Sequence, residues 1–493
     1  MPASELSLAV IRHRVDEESA SLRRNLENRT TYQPKRTYTV GEELTFPALE
    51  FASGRVVEVR DGHNPDVGAF EVISVEMRSG KLREFAAHYT LPHRLNDDSV
   101  VLALSEDQEA LPAEQLHVLY GQRVASALDA GLEKNTEFLR IGEDWFLRAL
   151  MAEVNVGHLN LAEAVLDLAN GGPLPTSIIL RDLGLPPEIA GVLQEISLNG
   201  AMTRDDRFDD VSLGVESSWF LRRLEPQEVR DLPAALRPAR FTGPAQISDD
   251  LKALEVALDD ELSSSLDETV PTEAGEPPKS VQVVLTYPHR RSGTLGWSRR
   301  LAAILPKIEK PRVPVRFRDR MTNKEFVVWL VREGRYIYGL RDWYEQNDLP
   351  PGAYIDIARG PVENVFFIDS RRHRPKREWV RVATNRDGHL RLETAQRGVG
   401  CVFDDQLMVF YDDASSLDAL RGSQPRDVAQ VVREVFPEIA KLSPQGNVHG
   451  ATLYAVVNVV TRAAPFDVFA ALTASGTYQP VGDNYWHLAE TRS

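Results

Sequence analysis

Seven consecutive residues, Arg371-Arg-His-Arg-Pro-Lys-Arg377, hold five permanent cations and a histidine. Arg371, Arg372, Arg374, Lys376 and Arg377 thus have the density of a phosphate clamp, in which cations displace the counterions condensed on a nucleic acid. The plainer alternative is a solvated basic loop. Further arginines, a histidine and hydroxyls gather in the predicted turns within 287–300 and 332–335. Arginine can meet phosphate as a cation or guanine O6 and N7 as a planar fork. Residues 281–400 contain 24 Lys and Arg against 13 Asp and Glu, a local +11 in a chain of −16, so the remainder carries −27. Such segregation gives one region an anion-binding face; the competing reading is a basic face answered in cis by the acidic segments.

Tests for catalysis fail. Gly80-Lys81 lacks the earlier glycine of a phosphate-binding loop and is followed by Leu82. Gly398 and Gly400 form a bare Gly-x-Gly, and no nucleophile elbow, His-Glu-x-x-His or calcium-loop pattern occurs. His88 and His93 lack a carboxylate at useful spacing, and Asp250-x-Lys252, the one nuclease-like triplet, sits in an acidic run. Cys401, the single cysteine, excludes an intrachain disulfide and Cys-rich metal sites, and its apolar neighbour Val402 suits a structural thiol. The expectation is a non-enzymatic chain without cofactor or metal.

The elements that would carry these residues follow from periodicity. With 493 residues, 42% apolar and 26% charged, three or four domains are expected. No apolar run approaches a membrane span and no signal-peptide pattern is present, so a soluble cytoplasmic protein with no membrane partner is expected. Residues 4–29 read as a helix with a period near 3.5, docked on the chain or, alternatively, pairing as a homodimeric coiled coil. Period-two runs at 54–60, 70–77 and 82–85 predict a small antiparallel β-barrel within 36–96. A helix over 113–132 precedes a tight hairpin at 138–147, turned at Gly142 with Trp145 packing back.

Residues 159–168, 176–183 and 188–203 then read as three helices, stopped by Gly171-Gly172-Pro173 and Gly184, and 207–222 as a hairpin around Gly214. That is the order of a winged helix-turn-helix. Residues 249–276 hold ten acidic residues against Lys252 alone and predict an acidic linker, helical at first and unable to order itself after about 268. The pattern from 415 is helical again, with helices at 452–462 and 466–472 and a hairpin at 478–488. Its Trp486 ending repeats Trp219 and, more weakly, Trp145.

Two resemblances sharpen this outline. Residues 159–222 resemble the HARE helix-turn-helix family, which includes the delta subunit of bacterial RNA polymerase, through Leu161-Ala-Glu-Ala-Val-Leu166, Gly171-Gly-Pro-Leu174 and Asp206-Arg-Phe208…Trp219-Phe-Leu221. That resemblance implies a role beside DNA or the transcription machinery. The acidic run Asp205-Asp-Arg-Phe-Asp-Asp210 would repel phosphate, which favours contact with protein. Residues 447–490 are similar to a diverged copy.

Residues 282–360 resemble the DNA-binding pseudobarrel of plant auxin- and abscisic-acid-response transcription factors, also used by target-recognition domains of some restriction enzymes. Val283-Val-Leu-Thr286, Leu301-Ala-Ala-Ile-Leu-Pro306, Val313-Pro-Val-Arg-Phe-Arg318, Glu325 to Val331, Tyr336-Ile-Tyr338 and Leu349-Pro-Pro-Gly352 carry the match in order. The resemblance implies two arms entering the major groove, here His289, Arg290, Arg291 and Thr294 in the first and Arg332, Glu333 and Arg335 in the second.

The expected fold is an α+β multidomain chain. It comprises an N-terminal helix (1–32), the small β-barrel (36–96) and a winged-helix region (113–240, HARE-like core 159–222). An acidic linker (241–280), a basic pseudobarrel-like domain (281–412) and a C-terminal winged-helix-like domain (415–493) complete it. The expected function is non-enzymatic, transcription-associated binding of double-stranded DNA by the basic domain, with winged helices contacting protein partners. The alternatives are a protein-interaction scaffold without DNA binding, and a specificity or accessory subunit of a restriction or defence system.

Overall fold

The structure is a computed structural model that describes all residues except 28–29, 50, 66, 97–110, 142, 245, 264–277, 363, 423, 475 and 490–493; of 21–27 only the backbone is described. The expected turn residue Gly142 and the acidic stretch after 263 therefore lie outside the described residues. The chain is a mixture of helices and several sheets divided into two compact units, Met1–Ala152 and Glu153–Ser493. The division places the helix over 113–132 and its hairpin in the first unit and residues from 153 in the second.

In the first unit, the helix Ala3–Glu27 lies along the helix Ala113–Leu132. Ser7 Oγ meets His117 Nε2 at 3.0 Å, and Arg12 pairs with Glu114 at 2.9 Å, so this helix docks in cis. Five strands, β1 (Thr30–Thr31), β2 (Glu43–Phe46), β3 (Ala52–Asp61), β4 (Glu71–Met77) and β5 (Leu82–Ala87), pair in sequence order. The alternating residues Val56, Ile73 and Val75 turn inward with Phe46 and Tyr32. Backbone bonds from His88 and Tyr89 to Arg36 and Pro34, with Tyr32 O–H on the Ala86 carbonyl at 2.6 Å, tie the two ends of the curled sheet together. A hairpin of β6 (Phe138–Ile141) and β7 (Asp144–Leu147) follows. Its Trp145 is buried and donates Nε1–H to Asp129 at 2.7 Å.

The second unit begins with helices Val156–Leu168, Thr176–Ile179 and Gly191–Met202. They support a three-stranded sheet of β8 (Leu174–Pro175), β9 (Phe208–Asp210) and β10 (Ser218–Leu221) in the order β8-β10-β9. Trp219 locks the unit from inside, donating Nε1–H to Asn199 at 2.9 Å and Thr176 at 3.1 Å. Gly172 is required here: at φ +114°, an added Cβ would stand 2.5 Å from the Trp219 carbonyl. A two-residue strand β11 (Pro238–Ala239) leads to the helix Asp249–Leu258, capped by Ser248.

Seven strands then curl into a half-barrel. They are β12 (Ser280–Val284), β13 (Thr294–Gly296), β14 (Arg312–Asp319), β15 (Glu325–Val331), β16 (Tyr336–Tyr338), β17 (Tyr354–Arg359) and β18 (Val365–Asp369). Their order is β12-β17-β18-β14-β15-β16-β13, with only β14 and β18 parallel. Phe317, Leu330, Ile355, Trp297 and Tyr344 fill the core. A long ribbon of β19 (Arg372–Arg386) and β20 (His389–Cys401) extends from it, joined by β21 (Phe410–Tyr411).

Helices Ala414–Arg421, Val428–Ala440, Gly450–Val460 and Pro465–Ala474 close the chain with β22 (Val448–His449), β23 (Arg462–Ala463), β24 (Tyr478–Gly482) and β25 (Tyr485–Leu488). The order β22-β25-β24 repeats β8-β10-β9, with buried Trp486 in the place of Trp219. β23 pairs with β11, stitching residues 238–239 to this C-terminal part.

Candidate nucleic-acid interface

The expected first arm is a short helix, Tyr287–Ser292, started by Pro288 and ended at Gly293, where φ is +68° and a Cβ would lie 2.7 Å from Arg341 Cβ. It is enclosed. His289 is 2% exposed, its Nδ1 at 2.8 Å from Thr294 Oγ1 and its Nε2 at 2.9 Å from Glu261 Oε1. Arg290 donates to the Leu349 carbonyl at 2.7 Å with its guanidinium over the Tyr344 ring, and Arg291 grips Asp418 at 2.9 Å. His289 and Thr294 are thus core residues. Arg290 and Arg291 are half-buried with their guanidinium groups engaged, and the arm presents no open face to a groove.

The acidic segment supplies the counter-charge. Helix Asp249–Leu258 buries Leu251 against helices Gly450–Val460 and Pro465–Ala474. It ends at Asp259, which turns left-handed at φ +51° and accepts Ser298 Oγ–H at 2.5 Å. Asp260 and Glu261 then enter the interior, where Arg462 holds Asp260 at 2.7 Å and Glu261 at 2.6 Å while Tyr454 O–H bonds Asp260. All three charged side chains are buried. Burial alone would raise the Glu261 pKa, but Arg462 and then His289 outweigh it and hold the carboxyl far below the ordinary range. Over 249–263 the expected linker is therefore a docked clasp, because its leucines fit an apolar face and its carboxylates meet buried cations.

The second arm joins β15 to β16. Arg332 and Glu333 are exposed, Arg332 reaching the Glu309 carbonyl at 3.2 Å, while Arg335 sits half-buried at φ +52°. The adjoining strands pack on the helical unit that precedes them: Trp329 stands edge-on to Phe220 at 4.9 Å, with Val211, Val229 and Leu236 around it. Arg312 pairs with Asp209 at 2.7 Å and Glu225 at 3.1 Å, and Lys310 pairs with Asp210. The acidic run 205–210 thus meets a basic surface of its own chain. Burial, then neighbouring Asp209, pushes the Glu225 carboxyl up to about 8.

The ribbon differs from both arms. Arg371 pairs with Asp356, and Arg372 approaches Asp319 at 3.8 Å. Beyond them the register slips between Arg372 and Lys376 around Pro375, which has no N–H for a ladder. Arg374, Lys376 and Arg377 are exposed and, among the described residues, form no ion pair. Trp379, 69% exposed, stands two residues beyond Arg377 on the same strand face. Elsewhere on the ribbon Arg386, Arg391 and Arg397 are paired with Glu393, Glu438 and Asp412. The sequence reading missed Trp379, although Trp379-Val-Arg-Val382 alternates between an outward polar face and an inward valine face. It also missed Arg462, hidden at the end of an apolar helical run.

No group of three or more His, Cys, Asp or Glu suited to a metal ion occurs among the described residues, and no helix there is long and apolar enough to cross a membrane. Cys401 is buried, and burial pushes its thiol up to about 11. No family model, curated protein or solved structure matches the chain.

Proposed function

We propose that this chain is a non-enzymatic, DNA-associated protein that holds the phosphates of a double helix on the ribbon residues Arg374, Lys376 and Arg377. One observation carries the reading: in a basic region whose other arginines mostly meet carboxylates of the same chain, these three neighbours on one strand meet none. Cations left adjacent and unanswered in an acidic chain repel one another unless an external anion takes the place of a partner. The curled seven-stranded sheet and the two helix-rich units closed by Trp219 and Trp486 support the resemblance to a pseudobarrel flanked by winged helices. In this reading the second winged-helix unit and the clasp occlude the first arm, and duplex contact shifts to the ribbon.

The test is duplex binding by the full chain across a salt series. Three phosphate contacts give a slope of log affinity against log salt of about −2.7. Replacing Arg374, Lys376 and Arg377 together by alanine removes that slope; an unchanged slope overturns the reading. The scaffold reading has its own support in the ion pairs between the acidic segments and the basic block. It takes over if the full chain ignores duplex DNA at low salt.

A further inference from the structure

A cavity of about 410 Å³ opens where the ribbon meets the C-terminal helical unit. Trp379, Arg381 and Thr394 line it from the ribbon, and Asn447, His449 and Tyr485 from the other side. Its composition is unlike a packing defect. Arg381 shares the Trp379 face of β19 and faces Thr394 across the ladder. One Arg381 N–H is held by the Asp405 carbonyl, yet the Nε–H is sealed from solvent without a partner. His449 Nδ1 accepts the Ala451 N–H at 3.2 Å, which assigns the ring proton of neutral imidazole to Nε2, and burial favours that neutral form. The His449 ring stands edge-on to Tyr485 at 4.9 Å.

Resting on the DNA reading above, we propose that this cavity takes one unpaired base of a DNA strand, stacked on Trp379, while Arg377 holds the adjoining phosphate. The dimensions agree. A strand advances about 3.3 Å per residue, so Arg377 lies about 7 Å from Trp379 on the same face. The cavity falls in the range of sites that hold small planar ligands. Base stacking on an aromatic side chain tolerates any base because each has a π-face. Amide, imidazole and hydroxyl groups from Asn447, His449 and Thr394 offer donors and acceptors for a base edge. An indole left 69% exposed beside unpaired cations is the surface such a strand needs.

The experiment compares three ligands on the full chain: a fully paired duplex, the same duplex with one extra unpaired 2-aminopurine, and the free 2-aminopurine nucleoside monophosphate. The unpaired duplex should bind about tenfold tighter than the paired one, with its fluorescence quenched in the complex. Trp379→Ala should bring the two duplexes to equal affinity and Trp379→Phe should keep part of the gain; Trp379 is exposed, so both variants should unfold at the native denaturant midpoint. Equal binding of the two duplexes by the native chain overturns the inference while leaving the ribbon reading standing. So does a gain that survives Trp379→Ala, or free mononucleotide binding as tightly as the unpaired duplex. If neither duplex binds, both readings fall.

Discussion

The helix Tyr287–Ser292 and the ribbon segment 371–379 are chemically alike in sequence, each dense in arginine with a histidine and an aromatic close by. In space they are opposites. The helix is enclosed, and Glu261, Asp418 and the Leu349 carbonyl engage His289, Arg291 and Arg290. The ribbon segment is exposed, and its last three cations have no carboxylate. Density of charge along a chain therefore says little about availability. What matters is whether carboxylates from distant segments arrive, and here they reach His289 and Arg291 on the helix but stop at Arg371 and Arg372 on the ribbon.

That contrast can be broken most severely at the clasp. Arg462→Ala leaves Asp260 buried without its cation and Glu261 held by His289 alone, and we expect a loss of about 3–5 kcal/mol, read from the urea midpoint. A loss below about 1 kcal/mol would mean that solvent reaches the pair. The pH dependence has a definite sign. Glu261 has its folded pKa depressed, so its stabilisation is complete above the unfolded value of about 4.5 and is lost as pH falls toward the folded one. Glu261→Gln should lower stability at neutral pH and flatten that acid limb.

Glu225 sharpens the contrast from the other side. Its folded carboxyl, raised to about 8, binds a proton more tightly than the unfolded one. Its contribution is full below about 4.5 and declines as pH rises through about 8. Glu225→Gln should remove that decline, checked by denaturant midpoints at pH 5 and 8.5; an identical decline in both chains would contradict the assignment.

Smaller effects belong to the surface. Arg397 and Asp412 pair at 2.8 Å in solvent, and Arg397→Ala should cost no more than about 1 kcal/mol. The triple alanine variant at Arg374, Lys376 and Arg377 should change stability within about 0.5 kcal/mol. A large loss there would reveal a structural role for the ribbon cations.

Much of this fold is legible locally. The three helices after 155, their glycine stops and the Trp219 closure follow from periodicity and turn chemistry over short spans. The alternation in β3 and β4 likewise marks strands before any contact is known. Pairing across long separations is not legible. Arg462 meets Asp260 across 202 positions and Arg291 meets Asp418 across 127, and no local pattern announces either. The first arm was misleading for the same reason: arginines in a predicted turn look free until the segment that covers them is known. Helix Asp249–Leu258 sits between these cases, its spacing readable and its docking partner not.

The proposed function has the ribbon, and not the enclosed helix, meet phosphate. It is tested most directly by duplex binding across a salt series for three full-length chains: native, Arg374→Ala/Lys376→Ala/Arg377→Ala, and Arg290→Gln/Arg291→Gln with its fold checked by circular dichroism. We expect the ribbon variant to lose about three units of salt slope and the helix variant to retain the native slope. The reverse order, with the helix variant losing the slope and the ribbon variant keeping it, would contradict the account.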